Sequence, residues 1–247
     1  MRDILGVNVA ASSYNEVAEK SLAWARHGES RAVLFANVHV LMESFDDSGF
    51  RSNLNGADIV NPDGVPLVWF LRAMGERGAT RVYGPDAMEV LLRLAEDSGI
   101  PTGFYGGTER TLEGLVEEVR GRYPKLDIAF TMSPPFRTLD ETEDAGVCKR
   151  ISDSGARMLF VGLGCPKQER WIIDHRGRIP AVMFGVGAAF DFLAGTKPQA
   201  PRWMMRNGLE WLFRLASEPR RLTSRYLKHN PRFLVLVLHQ LVTRYAR

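Results

Sequence analysis

Met158-Leu159-Phe160-Val161-Gly162-Leu163-Gly164-Cys165-Pro166-Lys167-Gln168-Glu169-Arg170-Trp171 is the stretch on which the reading of the fold turns. Its first four residues form a short apolar run of the kind that makes a buried strand. Gly162 and Gly164 then allow a sharp turn whose backbone lies open to a ligand. Pro166 suits the first turn of a helix, where no amide donor is lost. Lys167, Gln168 and Glu169 follow at that helix start, beside its unpaired amides and partial positive charge. A strand, a glycine turn and a helix mouth with polar side chains describe an anion site. An ordinary tight βα turn with solvated polar residues fits the same spacing.

The pattern recurs along the chain. Short runs at residues 32–36, 57–60, 102–105, 127–130 and 181–184 read as further strands, several ending in glycine or a polar residue. Between them lie helical patterns. The clearest follows Ser13-Tyr14-Asn15-Glu16, a capping-box spacing. The expected architecture is Rossmann-like α/β, with a largely parallel sheet and helices on both faces. Ligands of such sheets sit beyond the carboxyl ends of the strands. That rule gathers Asn37, Asp63, the 162–168 turn and the 185–191 turn, with Gly187 and Asp191, along one edge.

A chain of 247 residues buries about three quarters of its surface, enough for one substantial α/β body. Two cysteines, Cys148 and Cys165, make neither a disulfide framework nor a zinc pattern and suggest a reducing compartment. The first residues lack the apolar segment of a signal peptide, and no run reaches the ~20 apolar residues of a membrane span. The net charge of +3 hides an asymmetry: residues 202–247 hold ten basic and two acidic side chains, a net +8, leaving −5 for residues 1–201. Two regions follow, an α/β body over 1–201 and a basic helical appendage over 202–247. In the appendage Arg202, Arg206, Glu210 and Arg214 recur every fourth residue as a charged helical face, with Pro219 and Pro231 each expected to start a new helix. Such a tail expects an anionic partner.

Asp63, at a strand end before a glycine, has the position of a general base toward a hydroxyl; an Asp-Gly turn residue occupies the same place. Other chemistries lack their patterns. Neither Gly162-Leu163-Gly164 nor Gly185-Val186-Gly187 continues to the third glycine of a dinucleotide fingerprint. Asp46-Asp47 and Asp140-Glu141 do not follow apolar strands, as a metal-binding Asp-x-Asp would. The five histidines show no ligand spacing, so no metal is expected.

Residues 160–171 resemble the signature of the WecG/TagA/CpsF glycosyltransferases, family 26. Further matching marks, in order, are Asn37, Asp63-Gly64, Arg81-Val82-Tyr83-Gly84-Pro85-Asp86, Gly185-Val186-Gly187 with Phe190-Asp191, Ala200-Pro201-Arg202-Trp203, residues 208–215 and Glu218-Pro219-Arg220-Arg221. The resemblance implies inverting, metal-independent transfer from a UDP-sugar to a polyprenyl-diphosphate-linked acceptor. It places the enzyme on the inner, cytoplasmic face of the plasma membrane, in cell-wall or surface-polysaccharide assembly, with no cofactor. Carried over, Asp63 is the base, and Asn37 and Gln168 hold the donor sugar. Asp191 and the turns of Gly162, Gly164, Lys167 and Gly187 hold the nucleotide. Arg214, Arg221 and Arg225 close over the diphosphates. The appendage would meet an anionic membrane surface, nucleic acid is not an expected partner, and a homo-oligomer is compatible with all of this. Phe35 stands where the family often has threonine, which leaves one sugar contact unmatched and the donor open, and Gln199 replaces a frequent arginine. A non-catalytic nucleotide-sugar or phosphate-binding module recruited to membranes is the alternative.

Overall fold

The computed structural model describes residues 1–245; Arg247, counted above in the charge of the tail, lies outside the described residues. Six parallel strands form the central sheet: β3 (Arg31–Ala36), β4 (Ile59–Pro62), β5 (Thr102–Gly106), β6 (Ile128–Met132), β7 (Met158–Gly162) and β8 (Val182–Gly185). Their order is β4-β3-β8-β7-β5-β6. Ahead of them β1 (Arg2–Ile4) and β2 (Val7–Val9) make a small antiparallel hairpin, which was not expected.

Alternation between two cores explains why β7 and β8, inside the sheet, are apolar throughout. Leu34, Leu159, Val161 and Met183 face one core, while Val33, Phe35, Phe160 and Phe184 face another. The first core lies under α2 (Val38–Asp46), α3 (Ser48–Asn55), α4 (Val65–Ala73), α7 (Glu141–Asp153) and α8 (Lys167–His175). The second lies under α1 (Tyr14–Arg26), α5 (Gly84–Ser98), α6 (Glu109–Arg122) and α9 (Ala189–Leu193). A parallel strand covered on both faces has no solvent side to carry polar residues. Phe35, the departure from the family pattern, belongs to the second core and is 5% exposed.

Local signals set the ends of these elements. Ser13 and Glu16 form the expected capping box of α1. Asn37 caps α2, its Oδ1 accepting from the amides of His39 and Val40. Gly99, at φ +61°, closes α5 in the left-handed conformation.

α3, capped by Asp47, is a further helix that was not anticipated. Two expectations need correction. Residues 202–215 are not one helix: α10 (Arg202–Arg206) and α11 (Glu210–Ser217) are separated at Gly208, whose φ of +72° breaks the helical path. Glu210 is consequently buried rather than part of a solvated charged face. Nor does Pro231 start a helix. It lies inside α12 (Pro219–Tyr245), 27 residues long. A proline inside a helix costs about 3 kcal/mol. Leu222 and His229 before it, and Phe233 and Val237 after it, are all buried, so one packed face runs through the proline. Each large apolar side chain on that face contributes roughly 1.5–3 kcal/mol, enough to hold both halves in line.

β5 and β7 approach unusually closely at their ends, where Gly106 pairs with Gly162. Gly106 has φ +127°, and a Cβ there would stand 2.6 Å from the carbonyl carbon of Gly162. Gly106→Ala should therefore destabilise the protein by about 2 kcal/mol or more. Urea unfolding measures this, and a loss under ~0.5 kcal/mol would contradict the close approach.

Candidate active site

A cavity of about 500 Å³ opens between the carboxyl ends of β3 and β4 and the helices that follow residue 201. The body supplies Asn37, His39, Asp63, Trp69, Arg81 and Tyr83 to its wall. The tail supplies Glu210, Trp211, Arg214, Arg225, Tyr226 and His229.

Asp63 follows β4 directly, its amide donating to the carbonyl of Ala36 on β3 (2.8 Å). Arg81 braces it from the segment before α5. The guanidinium Nε donates to the Asp63 carbonyl, and Nη2 to carboxylate Oδ1 at 3.2 Å. The same Nη2 reaches Glu210 Oε2 on α11 at 2.6 Å. Glu210 Oε1 takes Arg214 Nε at 2.9 Å, and Arg214 Nη2 donates to the Tyr83 hydroxyl. Arg81 also lies over the Tyr83 ring, 4.2 Å from its centroid. Burial pushes the Asp63 carboxyl up to about 6; Glu210 adds to the rise, while Arg81 and Arg214 oppose it. A carboxylate tuned this way is ionised at neutral pH yet basic enough to take a proton.

The glycine turns form a second region. Gln168, 4% exposed, binds them together: Oε1 accepts from the Gly164 amide (3.1 Å), and Nε2 donates to the Gly185 carbonyl (2.9 Å). Gly187, at φ +54°, faces the same amide. Space over Gly162 is filled by Phe190, since a Cβ would fall 2.6 Å from the ring, whereas Gly164 (φ +78°) is open. Lys167 is exposed at the start of α8. Asp191, on α9, pairs with Lys197 beyond the end of that helix (2.7 Å).

Of the predicted residues, the cavity collects Asn37, Asp63, Arg214 and Arg225. The Gly162–Gln168 turn, Gly187 and Asp191 lie outside its lining. Arg221 is also outside it and bonds Glu218 at 2.6 Å. The two regions are neighbours: the Cys165 thiol feels the charges of Glu43 and Arg225. Arg225 is half-buried and, among the described residues, has no ion-pair partner; burial and Arg221 hold its guanidinium below the ordinary value. Arg81 and Glu210 were quoted in the sequence without a role. Their signal was compositional, Glu210 being one of two acids among ten basic residues.

Among the described residues two groups carry metal-ligand atoms within 4.8 Å of one another: His39, Glu43 and His229, and Asp144, Cys148 and His175. Linear spacing did not anticipate either. In the first, burial together with Arg225, His229, Arg221 and Lys228 presses His39 down to about 3. Such a field favours an anion over a cation. In the second, His175 Nε2 meets Asp144 Oδ1 at 2.8 Å, and Arg178 reaches the other oxygen of Asp144.

A sequence model of the glycosyl transferase WecG/TagA/CpsF family matches residues 2–247. The chain is 30% identical to the N-acetylglucosaminyldiphosphoundecaprenol N-acetyl-beta-D-mannosaminyltransferase of Bacillus subtilis strain 168, over 86% of this chain and 81% of that protein. The enzyme of the same name from Staphylococcus aureus strain MW2 is 26% identical, over 89% and 86% respectively.

Glu169, beside Gln168 and the Cys165 thiol, is 1% exposed, and among the described residues its Oε2 makes no hydrogen bond by geometry. Burial raises its carboxyl from 4.5 to about 7. A raised carboxyl costs nothing while protonated, so stability should fall as pH rises from 4.5 toward 7 and stay lower above. Glu169→Gln keeps the acceptor for Gln168 and removes the charge. Denaturant unfolding should show the wild type losing on the order of 3 kcal/mol more than this variant between acid and mildly alkaline pH. Parallel profiles would show that Glu169 does not titrate in this window.

Proposed function

The chain belongs to the WecG/TagA/CpsF family of glycosyl transferases, and we propose that it carries out inverting transfer from a UDP-sugar to a polyprenyl-diphosphate-linked saccharide. The observation that carries this reading is Asp63, a carboxyl raised to about 6, on the wall of a cavity shared with Arg81, Arg214 and Arg225. The carboxylate takes the proton of the acceptor hydroxyl as its oxygen attacks the anomeric carbon. The bond to the UDP oxygen breaks on the opposite side, which inverts the centre. Arg214, Arg221 and Arg225 supply positive charge to the diphosphates, the part a metal ion plays in other transferases. The unpaired Arg225 supports this assignment most directly. The names of the relatives favour an N-acetylmannosaminyl donor and an acceptor bearing N-acetylglucosamine diphosphoundecaprenol. Asn37, Gln168 and Asp191 remain the proposed contacts to the donor, Gln168 through the backbone it orders.

The lipid acceptor calls for a membrane surface. Among the described residues, no helix is long and apolar enough to cross a membrane. On α12, however, Leu227, Leu234, Leu238 and Val242 are exposed at intervals that keep them on one side. Arg220, Lys228 and Arg244 lie on the same helix. A basic amphipathic helix of this kind lies in the plane of an anionic interface, here the inner face of the plasma membrane.

Asp63→Asn should lower turnover by about 10²–10⁴ while UDP affinity survives, and wild-type kcat/KM should rise with pH through about 6. Turnover should persist in EDTA. Full activity of Asp63→Asn would remove Asp63 as the base, and UDP binding without turnover on any acceptor would return the chain to the class of binding modules. Full-length protein should float with anionic vesicles and not with neutral ones. Leu238→Asp with Val242→Asp should abolish flotation; unchanged flotation would exclude this face.

A further inference from the structure

Glu210 is the one acidic side chain that the tail sends into the cavity wall, and both of its oxygens are committed to arginines. Its pairing with Arg81 spans 129 positions of sequence and joins body to tail. Arg81 is shared. A single nitrogen, Nη2, serves Glu210 Oε2 at 2.6 Å and Asp63 Oδ1 at 3.2 Å, so the shorter contact goes to the tail. The other carboxylate oxygen of Asp63, Oδ2, accepts no hydrogen bond among the described residues.

We propose that Glu210 is a positioning residue that draws the Arg81 guanidinium off Asp63, so that docking of the C-terminal helices leaves Asp63 free to act as the base. The inference rests on the reading of Asp63 as the base and adds the residue that governs it. Without Glu210, the whole charge of Arg81 falls on Asp63, and a carboxylate paired with one guanidinium is a weaker base. With Glu210 in place, the guanidinium is divided between two carboxylates and its plane is fixed by Nε on the Asp63 carbonyl and by the Tyr83 ring. Oδ1 is held in place and Oδ2 is left for the acceptor hydroxyl. The other titratable groups facing this cluster are Arg214 on α11, Tyr14 on α1, Tyr83 before α5 and Tyr226 on α12. Of these, the tyrosine phenols are all raised by burial and stay neutral across the working range, so Arg81, Arg214 and Glu210 set the field at Asp63.

The test is the pH profile of kcat/KM for the full-length enzyme with a UDP-sugar donor and a polyprenyl-diphosphate acceptor. Glu210→Gln keeps the shape and removes the charge. Its acid limb should move to lower pH by about 0.5–1 unit, with a several-fold loss of kcat on the plateau. Arg214→Gln removes a cation near Asp63, and its limb should move the opposite way. Opposite displacements separate an electrostatic role from structural damage, which lowers activity alike at every pH. Glu210→Asp should restore the wild-type limb. An unmoved limb in a folded Glu210→Gln enzyme overturns the inference while Asp63→Asn remains inactive. An active Asp63→Asn overturns the reading beneath it as well. Should Glu210→Gln fail to fold, an Arg214→Gln limb that stays still or moves to lower pH overturns it instead.

Discussion

Burial of the sheet on both faces is the constraint from which the rest follows. Each residue of β7 from Met158 to Val161, and of β8 from Val182 to Phe184, is enclosed by one core or the other. A charged group placed along these strands would lose its hydration with no partner to replace it, at several kcal/mol. Polar chemistry is thereby confined to positions where a strand has just ended. Asn37, Asp63 and the turns at Gly164 and Gly187 all sit at such points. The strand order sets who meets whom there: β3 beside β4 brings Asn37 near Asp63, and β8 beside β7 lets Gln168 tie two glycine turns together.

What registers the tail on this edge is electrostatic. α11 carries a buried carboxylate between two arginines, one from each side of the body–tail boundary. A buried ion pair adds little over a well-packed apolar contact, but losing one member leaves an uncompensated charge at a cost of about 3–5 kcal/mol. Such a contact is poor glue and good registration. It fixes where Arg214 stands and which guanidinium touches Asp63, whereas Phe233 and Val237 in the first core supply the adhesion.

The inner strands β7 and β8 were legible because a parallel strand covered on both faces is predominantly apolar, and α1 was legible from Ser13 and Glu16. The β1–β2 hairpin was not, since three-residue strands offer no period to detect. Pro231 misled because the local penalty is visible in sequence and the buried face of Leu222, His229, Phe233 and Val237 is not. At the site, Asn37 and Asp63 could be placed by the strand-end rule. The direction of a side chain could not: Gln168 stands at the expected turn with its amide bonded inward. Contacts between distant segments were out of reach altogether, and the Arg81–Glu210 pair is of that kind.

The opposite end of the cavity wall is dominated by positive charge. Burial first, and then Arg225, His229, Arg221 and Lys228, press His39 down to about 3, while Glu43 approaches this cluster 3.4 Å from His229 Nε2. His39 is consequently neutral at any working pH, and Arg225 is half-buried without an ion pair among the described residues. A guanidinium in that state has paid for dehydration and gained no partner. A bound anion would supply one, and binding to the native state alone stabilises it in proportion to the logarithm of ligand concentration over Kd. Arg225 therefore stands among positive neighbours without an ion pair among the described residues, while Asp63 at the other end is balanced by Arg81 and Arg214 with Glu210 beside them, so the two ends of one cavity differ in charge balance.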